Sequence, residues 1–141
     1  YFTLIHAVDS LRLARFMDTV AQETGKRPRI LLEVNVGNED SKFGFFPETL
    51  EKEWPELSSL NHLEIAGLMC IPPPVEKPEE ARPYFRRLRE LKGVLSGSGG
   101  ATLTELSMGM SHDFETAIEE GATLVRVGTA IFGGRSYAPA S

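Results

Sequence analysis

Two short segments late in the chain combine glycine with hydroxyl side chains directly after apolar runs. The first, "SMGMS", contains Ser107, Met110 and Ser111, and the second, "VGT", contains Gly128 and Thr129. Backbone N–H groups in such turns, and at the start of a following helix, lack partners within the chain and attract anions. On its own, the first segment is more simply explained by Ser111 as a helix cap and Gly109 as a tight turn. Two such segments on neighbouring strands favour a phosphate site.

One arginine, Arg126, interrupts an otherwise apolar run directly before the second of these segments. Strand alternation puts Val125 and Val127 on one face and Arg126 on the other. Burying an unpaired guanidinium is costly, so Arg126 is expected to meet a ligand, to pair with a structural carboxylate, or to extend its charged end into solvent at an edge. Glu33 and Glu105, each in another apolar run, are the candidate carboxylate partners.

Five apolar runs alternate with amphipathic helical patterns and would position these residues. The predicted strands cover residues 2–8, 29–36, 63–71, 102–108 and 123–132. The predicted helices start near Asp9 or Ser10, at Pro47, near residue 78 and near Ser111, and Pro55 is expected to kink the second helix or end its first part. The segment "SGSGG" is interpreted as a flexible connector. Gly25 and Gly121 are placed to end the first and last helices.

Apolar strands that alternate with amphipathic helices indicate a parallel α/β sheet. The pattern leaves two forms open, a doubly wound sheet and part of an eight-stranded (β/α)8 TIM-type barrel. No G-x-G-x-x-G follows the first strand, which disfavours a dinucleotide fold. Dividing the 141 residues by five units leaves about 28 per unit, a period typical of barrels, whereas a whole barrel needs about 250 residues. Residues 1–141 are therefore predicted to form one domain, most of a barrel without its first strands.

Composition excludes several classes of function. A formal net charge of −5 argues against a nucleic-acid interface, and no apolar run approaches the length of a membrane span. Cys70 is the single cysteine, which rules out an internal disulfide and fits a reducing cytoplasmic compartment. The three histidines do not share metal-ligand spacing on one helix, so no metal site is predicted.

Three longer segments carry a resemblance to a known family. "EVNVGNEDSKFGF", "GLMCIPPP" and "LSMGMSHDFETAIEEGATLVRVGTAIFG" resemble the pyridoxal phosphate homeostasis protein family, whose members look like alanine racemase N-terminal domains. The resemblance covers essentially the whole chain. It implies a barrel that holds pyridoxal 5′-phosphate (PLP) without catalytic turnover and acts in intracellular vitamin B6 balance.

The resemblance also implies a role for each candidate residue. Arg126 would face the pyridine nitrogen, and because a guanidinium does not readily give up a proton, the ring nitrogen would stay unprotonated. The phosphate would be held by Ser111, the backbone around Met110, Gly128 and Thr129. Ser107 and Met69 would line the barrel mouth, and Lys42 would lie on a loop able to meet a ligand transiently.

One departure from the family limits what is expected. The family's Schiff-base lysine lies on the first strand, and this chain resembles strands four to eight, so none of its own lysines falls in a predicted strand. We expect non-covalent PLP binding, with the missing strands supplied by another chain or fragment. Two alternatives stay open: a PLP-dependent racemase or decarboxylase, and a phosphate-sugar enzyme on a related barrel. Tyr1, Tyr84 and Tyr137 are poorly placed to act as a second acid or base, which favours a non-enzymatic role.

Overall fold

A computed structural model describes residues 5–37, 44–73, 75–98, 103–110 and 112–126, without the side chains of residues 5, 6, 98 and 126. The strands are β1 (Ile5–Val8), β2 (Arg29–Glu33), β3 (Glu64–Met69), β4 (Glu105–Met110) and β5 (Leu124–Arg126). The helices are α1 (Leu11–Thr24), α2 (Pro47–Ser58), α3 (Arg82–Ser98) and α4 (Phe114–Glu119), and a 3-10 turn (Pro78–Ala81) precedes α3.

The five strands form one parallel sheet in the order in which they occur in the chain. Buried residues of all four helices share a single core with Ile30, Leu32, Leu68 and Leu106 of the strands. The helices therefore cover one face, the helix face, and leave the other, which we call the inner face, without helices. A doubly wound sheet would reverse its strand order and carry helices on both faces. The described strands thus have the barrel-type arrangement.

Local sequence signals set the ends of the first two helices. Ser10 caps α1 by accepting the Leu13 N–H at 3.1 Å, and Gly25 ends the helix with φ +73°, both as predicted. Pro47 opens α2, which continues through Pro55 to Ser58 instead of breaking there. A proline at this position removes one helical N–H, and the carbonyl that it would have served belongs to Glu51, an exposed residue that water can reach.

The third helix corrects the prediction of a linker. α3 runs through Ser96 to Ser98, so the first three residues of "SGSGG" are helical, while Gly99 and Gly100 lie outside the described residues. Leu91 and Leu95 are buried in the core on this helix and stabilise its last turns. Packing therefore outweighs the low helix propensity of the Ser-Gly sequence.

Strand β3 contains a bulge that the strand pattern did not indicate. Ile30 pairs with Ile65 but Leu31 pairs with Gly67, which leaves Ala66 as an extra residue. The bulge resets the alternation, so Leu68 packs on the helix face while Ala66 and Met69 join Leu31 on the inner face. At Gly67 the neighbouring strand comes so close that a Cβ would lie 1.9 Å from the Glu105 carbonyl oxygen.

Candidate functional site

The carboxyl ends of the central strands lie side by side. Glu33 of β2 pairs with Met69 of β3, and Met69 pairs with Ser107 of β4. Three residues further along β4, Met110 pairs with Arg126 of the next strand, β5. The structure therefore brings together the Met69, Ser107 and Met110 backbones and the Arg126 strand position, where ligands of parallel α/β folds bind.

An apolar cluster lies on the inner face below these strand ends. It consists of Leu31, Ala66 and Met69, all at most 6% exposed, and is separate from the main core. Ser107 alternates with the helix-face residues Leu106 and Met108 and is itself buried, so its hydroxyl belongs to the same face. The inner face thus carries a buried apolar cluster bordered by a hydroxyl, a lining that suits a polar aromatic ring. Leu31 and Ala66 were missed by sequence reasoning, because only the bulge assigns Ala66 to this cluster.

The loop after β2 is closed tightly at its base. Asn35 donates its N–H to the Phe45 carbonyl and Phe45 donates to the Glu33 carbonyl, each at 2.8 Å. Gly44 has φ +116° and its Cβ position lies 3.1 Å from backbone atoms of Asn35 and Glu33. Arg87 of α3 also donates to the Val36 carbonyl at 2.7 Å. The loop is thereby anchored at the same end of the sheet, although Lys42 lies outside the described residues.

The turn from β4 into α4 is held by a buried carboxylate. The Met110 N–H donates to Asp113 Oδ1 at 2.6 Å, and the Asp113 N–H donates to the Met110 carbonyl at 3.1 Å. Gly109 has φ +103°, and a Cβ there would lie 2.6 Å from Ala117 Cβ. The sequence pattern had indicated a helix start near Ser111, but α4 begins at Phe114. The amide of Met110 is occupied, so a ligand at this turn must use other donors.

α4 is also fixed at its far end by charge. The buried carboxylate of Glu120 accepts hydrogen bonds from Arg82 at 2.7 Å, Arg89 at 2.9 Å and Arg86 at 3.3 Å. The hydrogen bond from Arg82, assisted by Arg86, holds the pKa of Glu120 below its usual range. The pKa of Arg82 is raised above its ordinary value by its hydrogen bonds to carboxylates, most strongly by the bond to Glu79, followed by those to Glu119 and Glu120. These contacts join α3 to α4 and so fix the helix that follows the β4 turn.

The structure rejects one of the two carboxylate partners predicted for Arg126. Glu105 lies at the amino-terminal end of β4 opposite Gly67, and it accepts a hydrogen bond from Thr123 Oγ1 at 2.7 Å. Arg126 pairs with Met110, five residues further along, or about 16 Å at the usual rise of a strand. Glu33 lies at the ligand end of the sheet and remains the predicted partner. The Arg126 side chain lies outside the described part, as do Ser111, Gly128 and Thr129, so their roles stay predictions.

Other features do not compete with this site. A polar cavity of about 280 Å³, lined in part by Arg27, Asn61 and Glu64, lies next to the amino-terminal ends of β2 and β3. Within the described ranges, no three His, Cys, Asp or Glu side chains are grouped so that they could hold a metal ion. The helices in that same part of the chain are too short or too polar to cross a membrane.

Comparison with known proteins agrees with the barrel-type α/β fold. Residues 1–136 match the family described as alanine racemase, N-terminal domain. The chain therefore belongs to the alanine racemase N-terminal domain family. It is 48% identical over 134 residues to the pyridoxal phosphate homeostasis protein of Aquifex aeolicus and 40% identical over 134 residues to that of Synechocystis. These matches cover 95% of this chain but only 59% and 62% of those relatives, so the chain spans about three fifths of their length.

Solved structures support the same conclusion. PipY of Synechococcus elongatus without PLP superposes with a TM-score of 0.82 at 40% identity, covering 89% of this chain and 59% of PipY. PipY with PLP bound superposes with a TM-score of 0.79 at 38% identity, covering 89% of this chain and 58% of PipY. An alanine racemase of Clostridium difficile shares the fold at 16% identity, with a TM-score of 0.74 over 96% of this chain and 37% of its own. The resemblance to the pyridoxal phosphate homeostasis family is thereby confirmed.

Proposed function

We propose that this chain binds PLP and acts in the intracellular homeostasis of that cofactor, without catalysing a reaction of its own. The observation that carries the proposal is the alignment of Met69, Ser107 and Met110 with the Arg126 strand position at one end of the sheet. Two relatives are named pyridoxal phosphate homeostasis proteins, and PipY, which is similar, has been solved with PLP bound. The buried cysteine Cys70 fits a cytoplasmic location.

The described residues suit a phosphorylated pyridine ring. Leu31, Ala66 and Met69 would pack against one face of the ring, and Ser107 would border it. We assign the phosphate to the β4 turn with Ser111 and to Gly128 and Thr129, and we assign the ring nitrogen to Arg126. PLP supplies an aldehyde that reacts with amines and a ring that accepts electron density.

A non-catalytic role is supported by the position of the one tyrosine in the described part of the chain. An enzyme of the racemase or decarboxylase type needs a second acid or base near the cofactor. Tyr84, the one tyrosine among the described residues, lies on α3 and packs against the helix-face core, away from the strand ends. An arginine at the ring nitrogen would also weaken the electron-accepting capacity of the ring. Both features favour storage or transfer of the cofactor over turnover.

We further propose that additional βα units complete the barrel beside β1, supplied by another copy of the chain or by a separate fragment. Within the described residues β1 pairs only with β2, and Ala7 is exposed. On α1, the exposed side chains Leu13, Phe16 and Val20 recur at helical spacing, and Phe16 is 65% exposed. Apolar positions beside an open strand edge are typical of a surface that another element covers. Size-exclusion chromatography with intact mass tests this, and a monodisperse, well-folded 15.6 kDa monomer would contradict it.

The experiment for PLP binding is a titration followed by absorption and intrinsic fluorescence, in the wild type and in Arg126→Ala. Removing the guanidinium should weaken PLP binding about tenfold or more, because a charged hydrogen bond to the ring is lost. Arg12→Ala, which removes an exposed arginine of α1, is the matched control and should leave affinity unchanged. Equal affinity in Arg126→Ala and wild type would refute the assigned role of Arg126.

Borohydride treatment separates non-covalent from covalent binding in the same samples. We expect no fixed adduct, because no lysine in the described strands lies on the inner face. A stable adduct on one of the chain's own lysines, seen by mass spectrometry, would contradict non-covalent binding. Absence of any PLP binding by the wild type would count against the proposed function of this chain.

A further inference from the structure

The β4 turn contains a buried carboxylate, that of Asp113, which is not among the residues assigned to PLP. Asp113 is only 4% exposed, and burial of a carboxylate is unfavourable unless it is hydrogen-bonded. Its position is unusual, because a negative charge beside a phosphate-binding turn repels the ligand that the turn should hold. The contacts of Asp113 explain why the residue is nevertheless suited to this place.

Asp113 and Met110 hold each other through side chain and backbone. Asp113 Oδ1 accepts the Met110 N–H at 2.6 Å, and the Asp113 N–H returns a bond to the Met110 carbonyl at 3.1 Å. The Asp113 carbonyl accepts the Ala117 N–H at 3.1 Å, which ties the turn to α4. Nε2 of His112, a largely exposed side chain, lies 3.6 Å from Asp113 Oδ2.

These bonds have one structural consequence. A backbone N–H that is hydrogen-bonded to a buried side-chain acceptor is held in place, because breaking the bond would leave the N–H unpaired. The carboxylate therefore holds the end of β4 and the start of α4 in one conformation, with Gly109 packed closely against Ala117. A turn that is already ordered loses less conformational entropy when a ligand binds.

We propose that Asp113 is a positioning residue, which orders the β4 turn for the phosphate end of the ligand without contacting the ligand itself. This inference rests on the proposed function, since it assigns the turn to the phosphate of PLP. Its effect should depend on the phosphate group and on the hydrogen-bond acceptor, and not on the negative charge as such.

The test compares Asp113→Ala, Asp113→Asn and the control Glu115→Ala, which removes an exposed carboxylate from the same segment. The affinity of each protein is measured for PLP and for pyridoxal, which lacks the phosphate. Asp113→Ala should bind PLP about tenfold more weakly than the wild type. Its affinity for pyridoxal should equal that of the wild type. Asp113→Asn keeps an acceptor oxygen and should retain PLP affinity within about twofold. Glu115→Ala should match the wild type with both ligands.

Several outcomes would overturn the inference. Equal loss of PLP and pyridoxal affinity in Asp113→Ala would show a general structural defect. A loss of PLP affinity in Asp113→Asn as large as that in Asp113→Ala would show that the hydrogen-bond acceptor is not what matters. Amide exchange in the ligand-free protein provides a test that needs no binding: exchange of the Met110 N–H should be at least about tenfold faster in Asp113→Ala than in Glu115→Ala. Unchanged exchange would overturn the positioning role. If the wild type binds no PLP, the proposed function fails separately and the exchange result alone decides about Asp113.

Discussion

The two faces of the sheet differ in composition and in role, since one forms the core and the other carries the candidate ligand site. The helix face contains nearly all of the fully buried apolar side chains, including Trp54, Phe85 and Leu88 from the helices. In the described part of the chain, the inner face carries a small apolar cluster, Leu31, Ala66 and Met69, together with the polar residues of the strand ends. Strand alternation thus separates stability from ligand binding within the same short segments. Adjacent residues of one strand can be expected to respond very differently to mutation.

The largest effect should come from a change that disturbs both faces at once. In Gly67→Ala the new Cβ would lie 1.9 Å from the Glu105 carbonyl oxygen, and because the three nearest atoms are all backbone atoms of Glu105, no side chain could move away to make room. We expect β3 and β4 to separate, with a loss of at least about 4 kcal/mol in the free energy of unfolding. Denaturant unfolding measures this. Gly93→Ala is the control, because Gly93 in α3 has no neighbour within 4 Å and alanine there should stabilise the helix by roughly 0.5–1 kcal/mol. Similar stability for the two variants would refute the close strand approach.

Leu68 and Met69 provide a matched pair that tests the separation of the faces. Leu68→Ala on the helix face should lower the free energy of unfolding by about 3 kcal/mol and leave PLP affinity unchanged below the melting temperature. Met69→Ala should destabilise less, by about 2 kcal/mol, because its cluster is small, and should weaken PLP binding severalfold. Thermal unfolding and PLP titration of both variants give the comparison. Equal affinity losses in the two proteins would show that the faces are not separate.

The smallest effect concerns charge in the helix layer and depends on pH. Glu120→Gln should lower the free energy of unfolding by about 1 kcal/mol at neutral pH, because bonds from the partly exposed Arg82, Arg89 and Arg86 lose their ionised acceptor. The arginines lower the pKa of Glu120 in the folded protein, so its contribution is complete above the pKa of the unfolded chain and is lost as pH falls through the folded pKa.

The difference between wild type and Glu120→Gln should therefore shrink as the pH is lowered. Urea unfolding from neutral pH to about pH 3 measures it, across and below the usual carboxyl range. Glu119→Gln is the control, because Glu119 is 62% exposed and contacts Arg82 alone, so its effect should be smaller at every pH. A constant difference between wild type and Glu120→Gln over this range would contradict the assigned charge coupling.

Much of the fold could be predicted from local signals. Apolar runs marked all five strands, Ser10 and Gly25 marked the ends of α1, and Pro47 marked the start of α2. The pattern also placed Met69 and Ser107 correctly at the carboxyl ends of neighbouring strands, while their role in binding stays a prediction. These predictions succeeded because strand periodicity, helix caps and the ligand end of parallel sheets are properties of short segments or of the whole fold class.

The misses share a different origin. The bulge at Ala66, the helical state of Ser96–Ser98 and the late start of α4 all depend on contacts between residues distant in sequence or on a buried side chain. The prediction that Glu105 could pair with Arg126 failed for the same reason, because strand register decides which end of β4 lies near Arg126. One available signal was overlooked: an aspartate three residues after the end of a strand is a frequent acceptor for a turn amide.

By itself, the sequence determined which segments become strands and helices, where several of them end, and which residue types can hold a phosphate or a ring. Those properties follow from side-chain periodicity and from the chemistry of single residues. Only the tertiary structure decided that all four helices lie on one face, that Leu31 and Ala66 join Met69 below the strand ends, and that Asp113 is buried against the Met110 amide. The physical reason is that register, bulges and burial result from packing between distant segments, which no local pattern contains.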